Sequence, residues 1–332
     1  MSRMPSPRGP LSELLLDRLA TAPGRLFAAP EPGDAEDLHL SLSLCYELHY
    51  RGLPGVDDRW EWQPTLLEVR ARLEERFEAE LLEAVPRVRE DVAPEEMDLA
   101  LRDVEDADDG PSLSRHLERH GTLEQFREFL VHRSAYQLKE ADPHSWALPR
   151  LWGPPKAALV EIQGDEYGGG RPERIHAELF ARSMAALGLD REYGAYLDHL
   201  PAVTLRTVNL MSLCGLHRRL RGAIVGHLAL FEMTSSIPNR RYGDGLRRLG
   251  QGADATEFFD EHVEADAVHE AVAAVDLAGG LVRQDPALAT DVLWGARCLA
   301  RVEADWGEAV LDAWERGASS LRVPLADTAV PA

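Results

Sequence analysis

The sequence is poor in cysteine, and its three cysteines form no recognisable motif. Cys45, Cys214 and Cys298 lie far apart in a chain of 332 residues, and no CxxC pair occurs. Disulfide frameworks and thiolate metal sites both need cysteines in pairs or clusters. The sequence therefore predicts reduced thiols, a cytoplasmic location and no thiolate-bound metal.

Positive charge and long apolar runs are also scarce. Only 36 Lys and Arg stand against 57 Asp and Glu, which gives a formal charge of −21 and opposes binding to nucleic acid or anionic lipid. The most apolar stretch, residues 203–233, contains Arg206, Arg218 and Glu232, too many charges for a membrane-spanning helix. The N-terminus has no apolar segment typical of a secretory signal. We expect no nucleic-acid and no membrane partner.

Sustained β alternation is absent too, and the glycine-rich GDEYGGGRP matches no nucleotide-binding motif. Helical periodicity predominates instead, and the fold is predicted to be all α. Gly- or Pro-marked joints are expected at GGGRP, SSIPN and QDP. Helices are predicted in residues 37–50, 64–85, 122–141, 155–167, 172–187, 191–198, 202–232, 255–282 and 287–316.

Composition divides the chain into four parts. Residues 1–35, rich in Pro, Gly, Ala and Arg, are predicted to form a flexible arm with at most one short helix near 11–20. Residues 36–112 are expected to be an N-terminal helical extension that ends in an acidic, Pro-containing seam. The main domain is assigned to residues 113–322, and residues 323–332 to a frayed tail.

One segment, FFDEHVEADAVHE, carries metal-ligand spacing. His262, Asp266 and His269 follow an H-x3-D-x2-H pattern, and positions i, i+4 and i+7 share one face of a helix. Two imidazoles and a carboxylate without thiolates suit Fe(II). The alternative is a solvated acidic helix, because this segment is rich in carboxylates throughout.

Further potential ligands lie upstream on other helical segments. Glu166 and His176 flank the Gly-rich turn, and the glycines with Pro172 are expected to end one helix and start the next, which returns His176 toward Glu166. Glu140 ends a helical run just before Pro143. Taken together, these segments offer the carboxylates and histidines that a diiron site in a helical bundle requires.

At these residues the sequence resembles the haem-oxygenase-like diiron oxidases, also called iron-containing redox enzymes. The resemblance covers residues 120–320 and rests on a first Glu, a Glu followed by a His, and a late H-x3-D-x2-H run. It implies a bundle of about seven helices, here with an N-terminal extension. The six iron ligands and catalytic residues that it implies are Glu140, Glu166, His176, His262, Asp266 and His269.

The resemblance also implies a reaction class. Two Fe(II) ions and O2 as co-substrate would oxidise a small amine, amino acid or carboxylate, by N-oxygenation or by oxidative cleavage, in specialised metabolism. A homodimer is left open and the electron donor is unassigned. The competing functions on this scaffold are a non-catalytic iron-binding protein and a cofactor-free oxidase. A thiaminase would need a nucleophilic cysteine, whereas Cys214 sits in an apolar run typical of a core.

Substrate contacts are less constrained by the sequence. Arg206 and Glu232 lie on apolar helices where an inward polar group could orient a charged substrate. The simpler interpretation is that Glu232 and Arg206 pair with each other. Trp146, Trp152 and Tyr167 could line the site, although aromatic residues near helix joints more often serve packing.

Overall fold

A computed structural model describes residues 3–26, 29–107 and 110–326, apart from the side chains of residues 264–268. Within these ranges the chain forms helices and connecting turns without a strand, so the all-α prediction is confirmed. The α-helices are α1 (Pro10–Leu19), α2 (Ala35–Glu47), α3 (Pro64–Ala84), α4 (Met97–Asp106), α5 (Leu113–Arg119), α6 (Leu123–Gln137), α7 (Asp142–Ser145), α8 (Gly153–Glu166), α9 (His176–Ala186), α10 (Ala202–Leu216), α11 (Arg221–Arg248), α12 (Ala253–Ala271), α13 (Gly280–Gln284) and α14 (Ala289–Glu315).

Three details differ from the sequence prediction. The single helix expected over 202–232 is broken at residues 217–220, where Arg218–Leu220 forms a 3₁₀ turn between α10 and α11. The segment 191–198 contains only the start of a short 3₁₀ turn, Leu197–His199. The joint predicted at SSIPN lies inside α11, with Pro238 in the helix interior.

Two side chains in the turn before Pro238 donate hydrogen bonds to backbone carbonyls of α11. Proline removes one backbone donor and crowds the preceding turn, so such helices need local compensation. Thr234 Oγ1 donates to the carbonyl of Leu230 at 2.8 Å, and Ser235 Oγ donates to that of Glu232 at 3.2 Å. These bonds hold the turn that carries Glu232.

The core centres on α11, which packs against α12 on one side and α14 on the other. Two glycines allow the α11–α14 crossing. A Cβ added at Gly226 would lie 1.8 Å from the carbonyl oxygen of Val292, and one at Gly295 would lie 2.1 Å from that of Ala223. The two backbones therefore meet closely, and α11 is fixed in rotation about its axis.

A π-helical segment, Val272–Gly279, continues α12 and packs against α8. Such segments are rare and occur frequently at functional sites. Here the segment lies between the histidine-bearing turns of α12 and the short helix α13. The helix predicted over 255–282 is therefore present, with a change of winding near its middle.

The N-terminal residues form the short helix expected near residues 11–20. Leu11, Leu15 and Leu19 form a buried stripe on α1, which packs against α2. Asp37 of α2 accepts hydrogen bonds from the backbone amides of Leu11 at 3.0 Å and Ser12 at 2.7 Å, and so caps the start of α1.

The extension and the main domain share one continuous hydrophobic core, to which α1–α6 and α8–α14 all contribute. All three thiols are free and buried. No helix in the described part of the chain is both long and apolar enough to cross a membrane. Most of the predicted frayed tail, from residue 327 onward, lies outside the described residues.

Candidate metal centre

The first carboxylate, Glu140, is placed by the end of α6. The helix closes with turn-type bonds from the amides of Lys139 to Tyr136 and of Glu140 to Gln137. Ala141 then adopts a left-handed conformation at φ 72°, which turns the chain into α7 and is unusual for a residue with a Cβ. Gln163 of α8 donates to the Ala141 carbonyl at 2.8 Å and holds this turn.

The second carboxylate, Glu166, is the last residue of α8, and His176 is the first residue of α9. Between them Gly168, Gly169 and Gly170 all have positive φ, and a Cβ on Gly168 would lie 2.7 Å from the backbone of Arg174 and Ile175. Only glycine suits such a tight, left-handed return. It brings His176 Nδ1 to 2.9 Å from Glu166 Oε2.

Helix α12 supplies two histidines from one face. His262 Nε2 lies 3.5 Å from Glu140 Oε1, and His269 Nδ1 lies 3.4 Å from Glu232 Oε2 on α11. The seven-residue spacing thus directs each imidazole to a different carboxylate. Asp266 lies on α12 between them, but its side chain falls outside the described residues.

The side chains form two groups of potential ligand atoms, each spanning at most 4.8 Å. Glu140, Glu166, His176 and His262 form group A, and Glu166, Glu232 and His269 form group B. All six residues are buried. Glu166 belongs to both groups, so its carboxylate is the one that they share.

The orientation of these atoms fits metal ligands better than a hydrogen-bonded cluster. His176 Nδ1 and Glu166 Oε2 are close but lack the alignment of a hydrogen bond, and Glu140 Oε2 and His269 Nδ1 are buried without any hydrogen-bond partner. Buried polar atoms are normally satisfied. Because the potential ligand atoms within each group lie no more than 4.8 Å apart, one ion could contact them all.

Neighbouring groups fix two of the imidazoles in the required tautomer. His262 Nδ1 donates to the backbone carbonyl of Phe258 at 2.7 Å, which directs Nε2 toward Glu140. His269 Nε2 donates to Asp165 Oδ2 at 3.1 Å, which directs Nδ1 toward Glu232. Histidine ligands of metals are typically oriented in these two ways, by a backbone carbonyl or by a carboxylate.

The pKa values of the buried carboxylates and of His269 depart from their usual values, as expected where charges are buried close together. Burial raises the pKa of Glu140 and of Glu232 above the usual value. Burial opposes ionisation of Glu166 as well, but the neighbouring His176 outweighs it and lowers that pKa to about 2. Burial disfavours the charged form of His269, yet Glu232 and Asp165 raise its pKa to about 9. A cation bound among these carboxylates would offset the cost of burying their charge.

A small cavity of about 10 Å³ adjoins these groups, and we call it the site cavity; its walls include Tyr136, Glu140, His144, Glu166, Phe231 and Glu232. His144 Nε2 and His227 Nδ1 are 3.1 Å apart, while His144 Nδ1 is buried without a hydrogen-bond partner. Burial lowers the pKa of His144 to about 4, so its ring is neutral. This residue adds a polar atom that the sequence analysis missed, since nothing in the local sequence marks it.

The predicted residues are placed as follows. The structure brings together Glu140, Glu166, His176, His262 and His269, while the side chain of Asp266 is not described. Glu232, predicted as a substrate contact, instead lies in group B, because α11 presents it to His269.

Arg206, the other predicted substrate contact, pairs with Asp305 at 2.7 Å, so the expected pair between Arg206 and Glu232 does not form. The aromatic residues considered for the site serve other contacts: Tyr167 donates to Asp142 at 2.9 Å, Trp146 packs on Tyr50, and Trp152 is exposed. Burial raises the pKa of Cys214 well above the usual range, which agrees with its interpretation as a core residue.

Comparison with known proteins identifies the family. The family described as iron-containing redox enzyme matches residues 127–304, more than half of the chain, and every residue of groups A and B lies within that match. Nitrosourea synthase from Streptomyces achromogenes subsp. streptozoticus is 28% identical over 145 residues, which are 43% of this chain and 30% of that protein. The chain thus spans under a third of the length of this curated relative.

These matches agree with the all-α architecture and with the buried carboxylate and histidine groups, which are compatible with iron. They support an oxidoreductase of the haem-oxygenase-like fold. The chain belongs to the iron-containing redox enzyme family.

Proposed function

We propose that the protein is a diiron oxidase or oxygenase that binds two Fe(II) ions and uses O2 to oxidise a small amine, amino acid or carboxylate. The observation that carries the proposal is the pair of ligand groups that share Glu166. One group alone would suit a mononuclear site, whereas two groups joined by one carboxylate suit two adjacent ions.

The chemistry of the ligand atoms supports iron. Group A offers two carboxylates and two imidazoles, and group B offers two carboxylates and one imidazole. Oxygen and imidazole nitrogen ligands without thiolate suit iron better than structural zinc. Asp266 is proposed as a further ligand, since it lies one turn after His262 and faces the same side of α12.

The residues of the chain position the ions and control their surroundings. Asp165 and the Phe258 carbonyl orient the imidazoles of His269 and His262, and burial excludes bulk water from the carboxylates. The bound iron would supply reactivity with O2, which the amino acid side chains lack. His144 Nδ1 lies in the wall of the site cavity and can form a hydrogen bond with a ligand bound there.

The similarity to nitrosourea synthase supports a substrate that contains nitrogen. A nitrosourea carries an oxidised nitrogen, so an amine or an amino acid fits this similarity better than a simple carboxylic acid.

The test is an anaerobic Fe(II) titration of the full chain, followed by exposure to O2. We expect about two irons per chain that become oxidised together, and O2 uptake that an amine or amino acid substrate accelerates. Stable binding of two irons without accelerated O2 uptake by any tested substrate would indicate a non-catalytic iron-binding protein. Absence of specific iron binding would indicate a cofactor-free enzyme and overturn the proposal.

A further inference from the structure

A second, larger cavity lies beside the site cavity. It measures about 50 Å³, and its walls come from α2, α6, α10 and the loop that holds Tyr193. We call it the amino-terminal cavity; its walls include Glu47, Ser134, Lys139, Tyr193, Val208 and Ser212. Since one water needs about 10–15 Å³ measured in this way, the amino-terminal cavity has room for about four waters, while the site cavity has room for one.

A buried ion pair forms the polar part of this cavity. Lys139 Nζ lies 3.2 Å from Glu47 Oε2, and the two side chains are only 5% and 7% exposed. Tyr193 donates to the same carboxylate oxygen at 2.5 Å, and the Lys139 ammonium lies 4.1 Å from the centre of the Tyr50 ring. Both charges are therefore held in fixed positions.

Fold stability is a weak reason for such a pair. Removing two charges from water costs free energy that their mutual attraction often fails to recover, and apolar replacements are frequently as stable or more so. Here the pair also borders a cavity with room for about four waters rather than only packed side chains. A ligand that carries complementary charges would satisfy both groups.

The two cavities are close neighbours. Lys139 faces the amino-terminal cavity and the next residue, Glu140, faces the site cavity. A thin apolar partition separates them: Tyr136 and Phe231 border the site cavity, and Val208, from the same hydrophobic cluster, borders the other. A ligand anchored at Lys139 is thus separated from the site cavity by this apolar partition.

We propose that the amino-terminal cavity binds the zwitterionic head group of a free amino acid, with its carboxylate at Lys139 and its ammonium at Glu47. The inference rests on the proposed function in one respect, that the amino acid side chain points through the partition toward groups A and B. The room for about four waters is close to the five non-hydrogen atoms of an amino acid head group.

Charge balance selects this class of ligand. The Glu47 and Lys139 side chains together carry no net charge. A zwitterion bound between them adds no net charge to this buried region. A simple amine or a simple carboxylate would leave one uncompensated charge, which is costly at this depth. The cavity should therefore discriminate amino acids from their decarboxylated and deaminated analogues.

The experiment is calorimetric titration of the full, metal-free chain with the proteinogenic L-amino acids. For each that binds, the corresponding amine and the corresponding carboxylic acid are titrated as well. We expect at least one amino acid to bind, and both of its analogues to bind at least about ten-fold more weakly. Failure of every amino acid to bind, or equal binding of an analogue, would overturn the inference.

Two variants locate the binding site. Glu47→Gln should weaken amino acid binding by at least about ten-fold. Because it leaves Lys139 buried without a counter-charge and could impair folding, the double variant Glu47→Gln with Lys139→Gln removes both charges and should abolish binding in a folded protein. Unchanged affinity in a folded double variant would place the ligand elsewhere.

A matched control removes another ion pair, one that includes a residue of α6 close in sequence to Lys139. Arg133 of α6 pairs with Glu303 of α14 at 2.7 Å, outside both cavities. The double variant Arg133→Gln with Glu303→Gln should bind amino acids like the parent protein. If it loses as much affinity as the cavity variant, the Glu47–Lys139 pair has only a structural role.

The outcomes separate this inference from the proposed function. Amino acid binding to the metal-free chain without specific iron uptake would support the amino-terminal cavity and overturn the diiron proposal. Iron uptake and O2 consumption without amino acid binding would support the diiron proposal and overturn the proposed role of the amino-terminal cavity.

Discussion

At the scale of single residues, the most informative position is Glu232. Its carboxylate lies 3.4 Å from His269. The sequence analysis had predicted a substrate contact for Glu232, or an ion pair with Arg206. If Glu232 is an iron ligand, Glu232→Gln should reduce iron stoichiometry from about two to about one per chain, while Arg206→Gln should retain two. Anaerobic titration with counting of bound iron makes the comparison. Two irons in Glu232→Gln, together with a raised KM, would return Glu232 to the role of substrate contact.

Asp165 acts on iron through another residue and is a positioning residue. It accepts a hydrogen bond from His269 Nε2 at 3.1 Å. Loss of such an orienting carboxylate typically weakens metal affinity by 10–100-fold, and since the Asp165 side chain is 65% exposed, we expect about ten-fold for Asp165→Asn. The weakening should affect only one of the two irons in the titration.

Exposed Glu161 on the same helix provides the control. Glu161→Gln changes the local charge equally but contacts neither group, so both irons should bind as in the parent protein. Equal weakening in the two variants would mean that general electrostatics, and not the orientation of His269, sets the affinity.

Local periodicity explains why some ligands could be predicted and others not. The i, i+7 spacing of His262 and His269 is a property of one helix, and the glycines before His176 show a chain reversal in the sequence itself. Glu232 joins the site only because α11 packs against α12 in one rotation. His144 and Asp165 likewise depend on contacts between helices that no local pattern contains.

At the scale of helices and their junctions, the close α11–α14 crossing predicts a large difference between two glycine substitutions. Gly226→Ala places a Cβ 1.8 Å from a backbone oxygen, so the helices must separate and we expect a loss of about 3 kcal/mol or more of unfolding free energy. Gly307 of α14 has nothing within 4 Å of an added Cβ. Gly307→Ala should stabilise the protein by about 0.5–1 kcal/mol.

Urea unfolding of both variants checks this contrast. Similar stabilities for Gly226→Ala and the parent protein would show that α11 and α14 can move apart at little cost. In that case the rotation of α11, and with it the position of Glu232, would not be fixed by the crossing.

The junction between α1 and α2 should be sensitive to acid. Burial opposes ionisation of Asp37, but hydrogen bonds from Ser12, Gly33 and Leu11 outweigh it and lower the pKa below the usual 3.8. A carboxyl whose folded-state pKa is depressed stabilises the fold above its unfolded-state pKa, and this contribution disappears as pH falls through the folded-state value.

Asp37→Asn is therefore expected to cost about 2 kcal/mol at neutral pH. The difference from the parent protein should shrink only below pH 3.8. Urea unfolding at several pH values measures it, with Asp17→Asn on the exposed face of α1 as the control. A difference that is constant down to the lowest pH at which the protein folds would contradict a charged Asp37 in the cap.

The helices themselves were largely predictable, and their interruptions were not. Repeated apolar residues locate α3, α6 and α14 to within a few residues, because an amphipathic helix must repeat its buried side. The SSIPN segment contains proline and was expected to be a joint, yet tertiary packing and side-chain bonds from Thr234 and Ser235 keep it helical. The π-helical winding after α12 has no recognisable local signature.

At the scale of the whole molecule, metal binding should stabilise the fold. Groups A and B bring three carboxylates together where α8, α9, α11, α12 and the turn after α6 meet. Only the folded chain assembles these carboxylates. A ligand that binds the folded state alone adds about 2.7 kcal/mol at 100 times its Kd. Anaerobic calorimetry should show a higher Tm with Fe(II) than with a chelator.

Glu166→Gln provides the comparison, since it removes the carboxylate that both groups share. Its Tm should respond much less to Fe(II) than that of the parent protein. An equal response would mean that iron stabilises the molecule by binding to its acidic surface, which a net charge of −21 makes possible.

The placement of α2 has a consequence for how this protein could diversify. The metal-ligand groups lie within residues 127–304, whereas Glu47, which forms one wall of the amino-terminal cavity, lies well before them. The ammonium anchor of the proposed ligand would then be encoded outside the stretch that carries the metal-ligand groups. Substitutions at Glu47 and its neighbours in α2 would change ligand preference while every potential iron ligand stays unchanged.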